Sequence, residues 1–153
     1  MKAMDTALLE EIVRRVISEE LKNLEDQELD KTVDPSGIIH VRSGSVNCKP
    51  FDTGKAGDKV FITDLYTLGE SPNMACGIME MEESAFDWTL TYDEIDFIIE
   101  GTLEIIINNR KVVGNKGDVL FIPKDTRIQF SCPKYTRFLF VTYPANWEEL
   151  SKG

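Results

Sequence analysis

The chain has 153 residues, 27 acidic against 17 basic side chains and a formal charge of −10, which leaves room for one domain with a real core and a short appendage. That charge opposes nucleic acid and anionic membranes as partners and favours a cation or a basic partner. No run approaches the roughly 20 apolar residues that a bilayer span needs, so no membrane segment is expected.

The cysteines Cys48, Cys76 and Cys132 form no CxxC pair, and no basic-then-apolar leader precedes the first element. Both features point to a cytoplasmic protein with reduced thiols. One histidine, His40, cannot supply a histidine-rich transition-metal site.

From Asp5 to about Glu28, Leu8, Leu9, Ile12, Val13, Val16, Ile17, Leu21 and Leu24 recur at spacings of three and four. That stripe predicts an amphipathic helix within an arm spanning residues 1–30, with Asp5 or Thr6 as N-cap. Its apolar face needs a mate, which the helix can find on its own domain, on a sister subunit or on something larger. Residues 31–37, with the proline and glycine of "DKTVDPSG", have the character of a linker.

Residues 38–153 form the expected all-β domain. Short β-rich runs at 38–41, 59–68, 86–92, 95–99, 103–107, 119–122, 128–130 and 138–143 alternate with turn residues, among them the hairpin signal "NNRK" from Asn108 to Lys111. Nothing after residue 37 holds a helical period for three turns. The pattern points to an antiparallel sandwich or barrel.

One stretch carries the chemistry. In "FDWTLTYDEIDFIIEG", strand alternation puts Phe86, Trp88, Leu90, Tyr92, Glu94, Asp96 and Ile98 on one face. Two carboxylates on a buried face must keep a proton, hold a cation or find a base. Residues 80 to 100 contain no lysine or arginine, so a base would have to come from elsewhere. The alternative is a twist that turns both acids into water at a rim.

"YDEIDFIIEGTLEIII" and "GDVLFIPKDTRIQF" resemble the two motifs of the cupin family. Glu94 matches the glutamate of the first motif, while Gly117, Asp118 and Pro123 match the frame of the second. Trp88, Leu90 and Ile128 stand where the histidine ligands belong, and Asp125 stands where a glycine is usual. Three of the four usual metal ligands are thus missing, and no transition-metal chemistry is expected. The resemblance implies an antiparallel β-barrel, or jelly roll, preceded by the helix.

"VNCKPFDTGKAGDKVFITDL", "MACGIMEME" and "FLFVTYPANW" extend the likeness to the EutQ ethanolamine-utilisation family, a cupin subgroup associated with bacterial microcompartments. That resemblance implies a role in ethanolamine catabolism, acetate kinase activity on ATP, and an N-terminal helix that directs the protein into the compartment. A kinase needs a divalent cation and positive groups around the phosphoryl. Glu94 and Asp96 suit magnesium, which requires only one or two protein carboxylates. Lys124 and Arg127, beside Pro123, are the candidates for phosphate, and Trp88, Tyr92, Tyr66 and Tyr143 for the rest of a nucleotide pocket.

No GxxxxGK[ST] loop is present. The same features therefore also fit a non-enzymatic scaffold or cargo protein that docks on shell or cargo partners through its helix, or a small-molecule sensor with a histidine-free pocket. The apolar residues on both faces of Ile95–Ile107 suit a homodimer as well as a two-layered monomer.

Overall fold

A computed structural model describes residues 5–26 and 29–151. The chain divides into two compact units, Met1–Asn47 and Cys48–Gly153.

The first unit holds helix α1, Thr6–Asp26, and a small hairpin. Asp5 caps α1: its Oδ1 accepts a hydrogen bond from the Ala7 N–H at 3.1 Å, satisfying a donor the first turn leaves open. The apolar stripe is solvent-exposed from Leu8 to Leu21, each member between 41% and 56% accessible. The Leu24 side chain and residues 1–4 and 27–28 of the expected arm lie outside what is described.

Where the sequence suggests a linker, β1 (Lys31–Val33) pairs antiparallel with β2 (Ile39–Val41). Asp34 closes the turn, its carbonyl taking the Gly37 N–H at 2.9 Å and its Oδ2 the Ser36 N–H at 2.9 Å. His40 is exposed on β2.

The second unit is one antiparallel sheet built from β3 (Lys49–Pro50), β4 (Lys59–Asp64), β5 (Ala75–Leu90), β6 (Asp93–Ile107), β7 (Arg110–Asn115), β8 (Val119–Ile122) and β9 (Thr126–Tyr143). The order is β3-β4-β5-β9-β6-β7, with β8 on β6. Strand β6 thus serves β8 with its first half, at Glu94–Phe97, and β7 with its second, at Thr102–Ile107.

This sheet is not closed into the barrel or jelly roll expected from the strand pattern. Its outermost strands, β3 and β7, do not pair with each other. One cause is visible in β3, which is two residues long and includes Pro50, a residue with no N–H to give a further strand.

The strands are also longer than the sequence suggests, because bulges let a strand bend without ending. Glu83, at φ 44°, marks the register shift in β5, and Gly101, at φ 73°, lies at the second of two in β6. Gly101 is therefore a mid-strand bulge residue and not part of a hairpin turn. The hairpin at "NNRK" does form, with Asn108 and Asn109 both at positive φ between β6 and β7. A helix the strand-rich pattern hides, α2 (Trp147–Ser151), closes the unit.

The core lies on one face of the sheet and includes Met81, Phe86, Leu90, Ile98, Leu103, Phe130, Phe138 and Phe140, all under 5% accessible. The opposite face leaves Ile95, Phe97, Val119 and Phe121 exposed.

Candidate functional site

Alternation along β5 and β6 carries straight through the acidic stretch. Asp87, Thr89, Asp93, Ile95 and Phe97 are exposed, whereas Phe86, Leu90, Tyr92, Glu94, Asp96 and Ile98 are buried and Trp88 is half-buried. Cross-strand pairing holds the acids in place. Glu94 lies between Thr142 on β9 and Ile122 on β8, and Asp96 between Phe140 and Leu120.

The burial is severe: Glu94 is 6% accessible and Asp96 0%. Glu94 Oε2 and both carboxyl oxygens of Asp96 are buried without a hydrogen-bond partner. Burial raises the Glu94 carboxyl well above the ordinary carboxylate range, with the neighbouring Asp96 adding to the effect. Burial alone does the same for Asp96. A carboxyl without donors in a low-dielectric interior is stable only as the acid or beside a cation.

Glu94 opens onto a cavity lined by Phe51, Ile62, Met79, Phe86, Trp88, Tyr92, Phe130, Phe138, Phe140 and Trp147. The half-buried Phe51, Ile62 and Trp88 form its rim. Its volume, to the centre of a water molecule, is about 20 Å³, room for about one water. A nucleotide could therefore meet Glu94 only at the mouth.

The rings interlock around two tryptophans. Trp88 stands edge-on to Phe51, Phe86 and Trp147 with centroids 5.9, 6.2 and 6.1 Å away. Trp147 also meets Tyr92 and Phe140, each at 6.1 Å. The Trp88 Nε1–H donates to the Tyr92 hydroxyl at 2.7 Å, which settles the polar ends of both rings.

Of the residues singled out from sequence, Glu94, Trp88 and Tyr92 meet at this cavity, and Asp96 follows Glu94 on the same strand face. Lys124 and Arg127 are exposed and do not line it; Tyr66 is half-buried and Tyr143 60% accessible, both elsewhere. No lysine or arginine appears among the described lining residues. Asp93 is occupied otherwise, its Oδ1 accepting the Lys124 N–H at 2.8 Å. Asp125 takes a positive φ of 63° and sends its N–H to the Leu90 carbonyl at 2.7 Å, which is why a glycine suits that position.

Phe51 and Trp147 are among the lining residues that escaped the sequence. Phe51 sits just past a two-residue strand with no periodicity to mark its face. Trp147 is carried by α2, whose start was legible in "NWEE", an asparagine followed three residues later by an acid. Asn146 Nδ2 donates to Glu149 Oε2 at 3.5 Å there.

Oxygen donors without partners suit a hard cation such as magnesium, and the acid pair meets its minimum of one or two carboxylates. Among the described residues no three His, Cys, Asp or Glu side chains come together, so any remaining ligands would be water or substrate. The thiols offer little: burial pushes Cys76 up to about 11, and burial followed by Glu80 does the same for Cys48, far from a reactive thiolate.

The family model described as "Ethanolamine utilisation protein EutQ" matches residues 4–149. A Clostridioides difficile protein named "Acetate kinase EutQ" is 47% identical over 148 residues, covering 94% of each chain. A Salmonella typhimurium protein of the same name is 36% identical over 149 residues; the match takes in 92% of this chain and 64% of that one. Among solved structures, the Clostridium difficile EutQ protein superposes with a TM-score of 0.77 at 50% identity, over 78% of this chain and 90% of that one. A cupin superfamily protein from Desulfitobacterium hafniense gives a TM-score of 0.51 at 16% identity, over 56% of this chain and 78% of that one, a likeness of fold alone.

Proposed function

The chain belongs to the EutQ family, and on that premise we propose that it is an acetate kinase acting in ethanolamine breakdown inside a bacterial microcompartment. The reaction moves the terminal phosphoryl of ATP to acetate: an acetate oxygen bonds to phosphorus, the bond to the bridging oxygen breaks, and ADP leaves with that electron pair. The observation that carries this reading is the 47% identity with a protein of that name across 94% of both chains. The buried acid pair supports it, with Glu94 lining the cavity and Asp96 buried behind it on the same strand face.

Bound magnesium would be held by Glu94 and Asp96 and would offset charge on the migrating phosphoryl. The chain's own contributions are narrower. The lining is mostly apolar, and Glu94 supplies the carboxyl at the cavity wall. With no base in the lining, the exposed Lys124 and Arg127 serve phosphate only outside the cavity.

Steady ADP formation that requires acetate, ATP and magnesium is the expected result. Glu94→Gln and Asp96→Asn should each lower kcat by at least about tenfold, the loss of roughly 1.4 kcal/mol of transition-state stabilisation. Turnover by both variants equal to the parent would remove the acids from the reaction.

A second reading is a docking role for α1, favoured by the exposure of its apolar stripe from Leu8 to Leu21. Such a face stays in water only at a cost that a partner's groove removes. Deleting residues up to Asp26 should release the protein from purified shells while leaving the sheet folded by circular dichroism. Undiminished encapsulation would exclude that role.

A further inference from the structure

We propose that the ring-lined cavity beside Glu94 is a binding site for a small primary alkylammonium ion, its N–H groups donating to Glu94 and its body held against the tryptophan and tyrosine rings. This goes beyond phosphoryl transfer and needs neither nucleotide nor metal.

Three independent features select that chemistry. The first is the aromatic wall: Trp88, Tyr92, Trp147, Phe51, Phe86 and Phe140 follow one another at centroid spacings of 5.9 to 6.2 Å where they pair about the tryptophans. Ring faces attract a cation within about 6 Å, and most strongly when water is excluded. The second is the carboxyl: Glu94 lines the same space at 6% accessibility, with Oε2 lacking a donor. The third is the absence of lysine and arginine among the described lining residues, in a chain of net charge −10.

Other ligand classes fit less well. An anion would meet Glu94 with no lysine or arginine among the described lining residues. A neutral apolar guest would satisfy the rings and leave Oε2 without a donor. A hydrated divalent ion gains nothing from ring walls, since it prefers oxygen ligands and keeps its water. A quaternary ammonium satisfies the rings but has no N–H for Oε2. A primary ammonium satisfies both. The volume of about 20 Å³ admits the head of such an ion, leaving its tail at the rim formed by Phe51, Ile62 and Trp88.

The test titrates the full-length protein, free of nucleotide and divalent metal, at about pH 8, where alkylammonium ions keep their charge. Ethanolammonium and propylammonium should quench tryptophan fluorescence saturably and raise the melting temperature. Ethylene glycol and propanol, neutral and of similar size, should do neither at the same concentration. Glu94→Gln should weaken ammonium binding at least about tenfold, one charged hydrogen bond's worth, and Trp88→Leu should weaken it while keeping Glu94. No saturable response to either ammonium up to tens of millimolar overturns the proposal. So does an equal response to the neutral compounds, which would mark simple cavity filling, or a response confined to tetramethylammonium, which would mark a ring box that ignores Glu94. The titration contains neither ATP nor magnesium, and ADP formation is measured without an alkylammonium ion, so either reading can fail while the other stands.

Discussion

Replacing Gly101 with alanine is expected to cost more than about 4 kcal/mol of folding free energy, the range reserved for a few severe mechanisms. Two of them coincide here. Gly101 sits at φ 73°, where a side chain is strained. An added Cβ would also lie 1.9 Å from the Tyr135 carbonyl oxygen and 2.7 Å from its carbon. Those are backbone atoms of β9, paired with β6 on either side, and cannot move aside as a flexible side chain would.

The consequence reaches the site, because β6 carries Glu94 and Asp96 a few residues upstream. Their inward direction depends on the register that sets Asp96 against Phe140 and Glu94 against Thr142. Gly117 provides the contrast. It has a similar φ of 88°, yet nothing lies within 4 Å of an added Cβ, so Gly117→Ala should cost only about 1 kcal/mol. Urea unfolding of the two variants side by side makes the comparison. Equal, mild losses would mean that β6 is not pressed against β9 at the bulge.

Much of this was legible in the sequence, and the failures share a physical cause. The period of two through Phe86–Ile98 put both acids on the aromatic face and left a twist into water as the alternative, which the burial of both side chains removes. The helical stripe, the Asn108–Asn109 turn and the missing histidine ligands were equally local signals. Strand lengths were not. Gly101 falls between the runs expected at 95–99 and 103–107, and nothing in the sequence marks Glu83, but a bulge spends one residue of positive φ at each place and the strand continues.

Closure of the sheet was out of reach for the same reason. Whether β3 meets β7 depends on pairings far apart in the chain, and only Pro50 hinted at an edge. The site was half visible: Trp88, Tyr92, Glu94 and Asp96 follow one alternation through the end of β5, the turn and β6, whereas Phe51 and Trp147 reach the cavity from remote segments. Lys124 and Arg127 were chosen by charge and proximity to Pro123, and their side chains lie in water.

The second large effect concerns pH. In the unfolded chain Asp and Glu titrate near about 4, whereas burial holds both Glu94 and Asp96 well above that in the folded protein. Below about pH 4 both states are protonated, and the pair's contribution to stability is fully present. As pH rises the unfolded chain releases its protons first, so stability falls until the folded pair ionises too. One pK unit corresponds to about 1.4 kcal/mol, and a melting temperature lower by at least about 5 °C at pH 8 than at pH 5 is the expected scale. In Asp96→Asn, which keeps the shape and removes one titration, that slope should flatten.

Infrared difference spectroscopy reads the retained proton itself, through the carbonyl stretch of a protonated carboxyl. At about pH 7, where hydrated carboxylates have ionised and Asp64, pushed up by burial to about 6, has largely ionised too, the parent protein should still show that band, and the double variant Glu94→Gln, Asp96→Asn should lose it. A parent spectrum without the band, in a sample free of added cations, would mean that the two acids are already ionised and partnered, and that the cavity has no call for a cation.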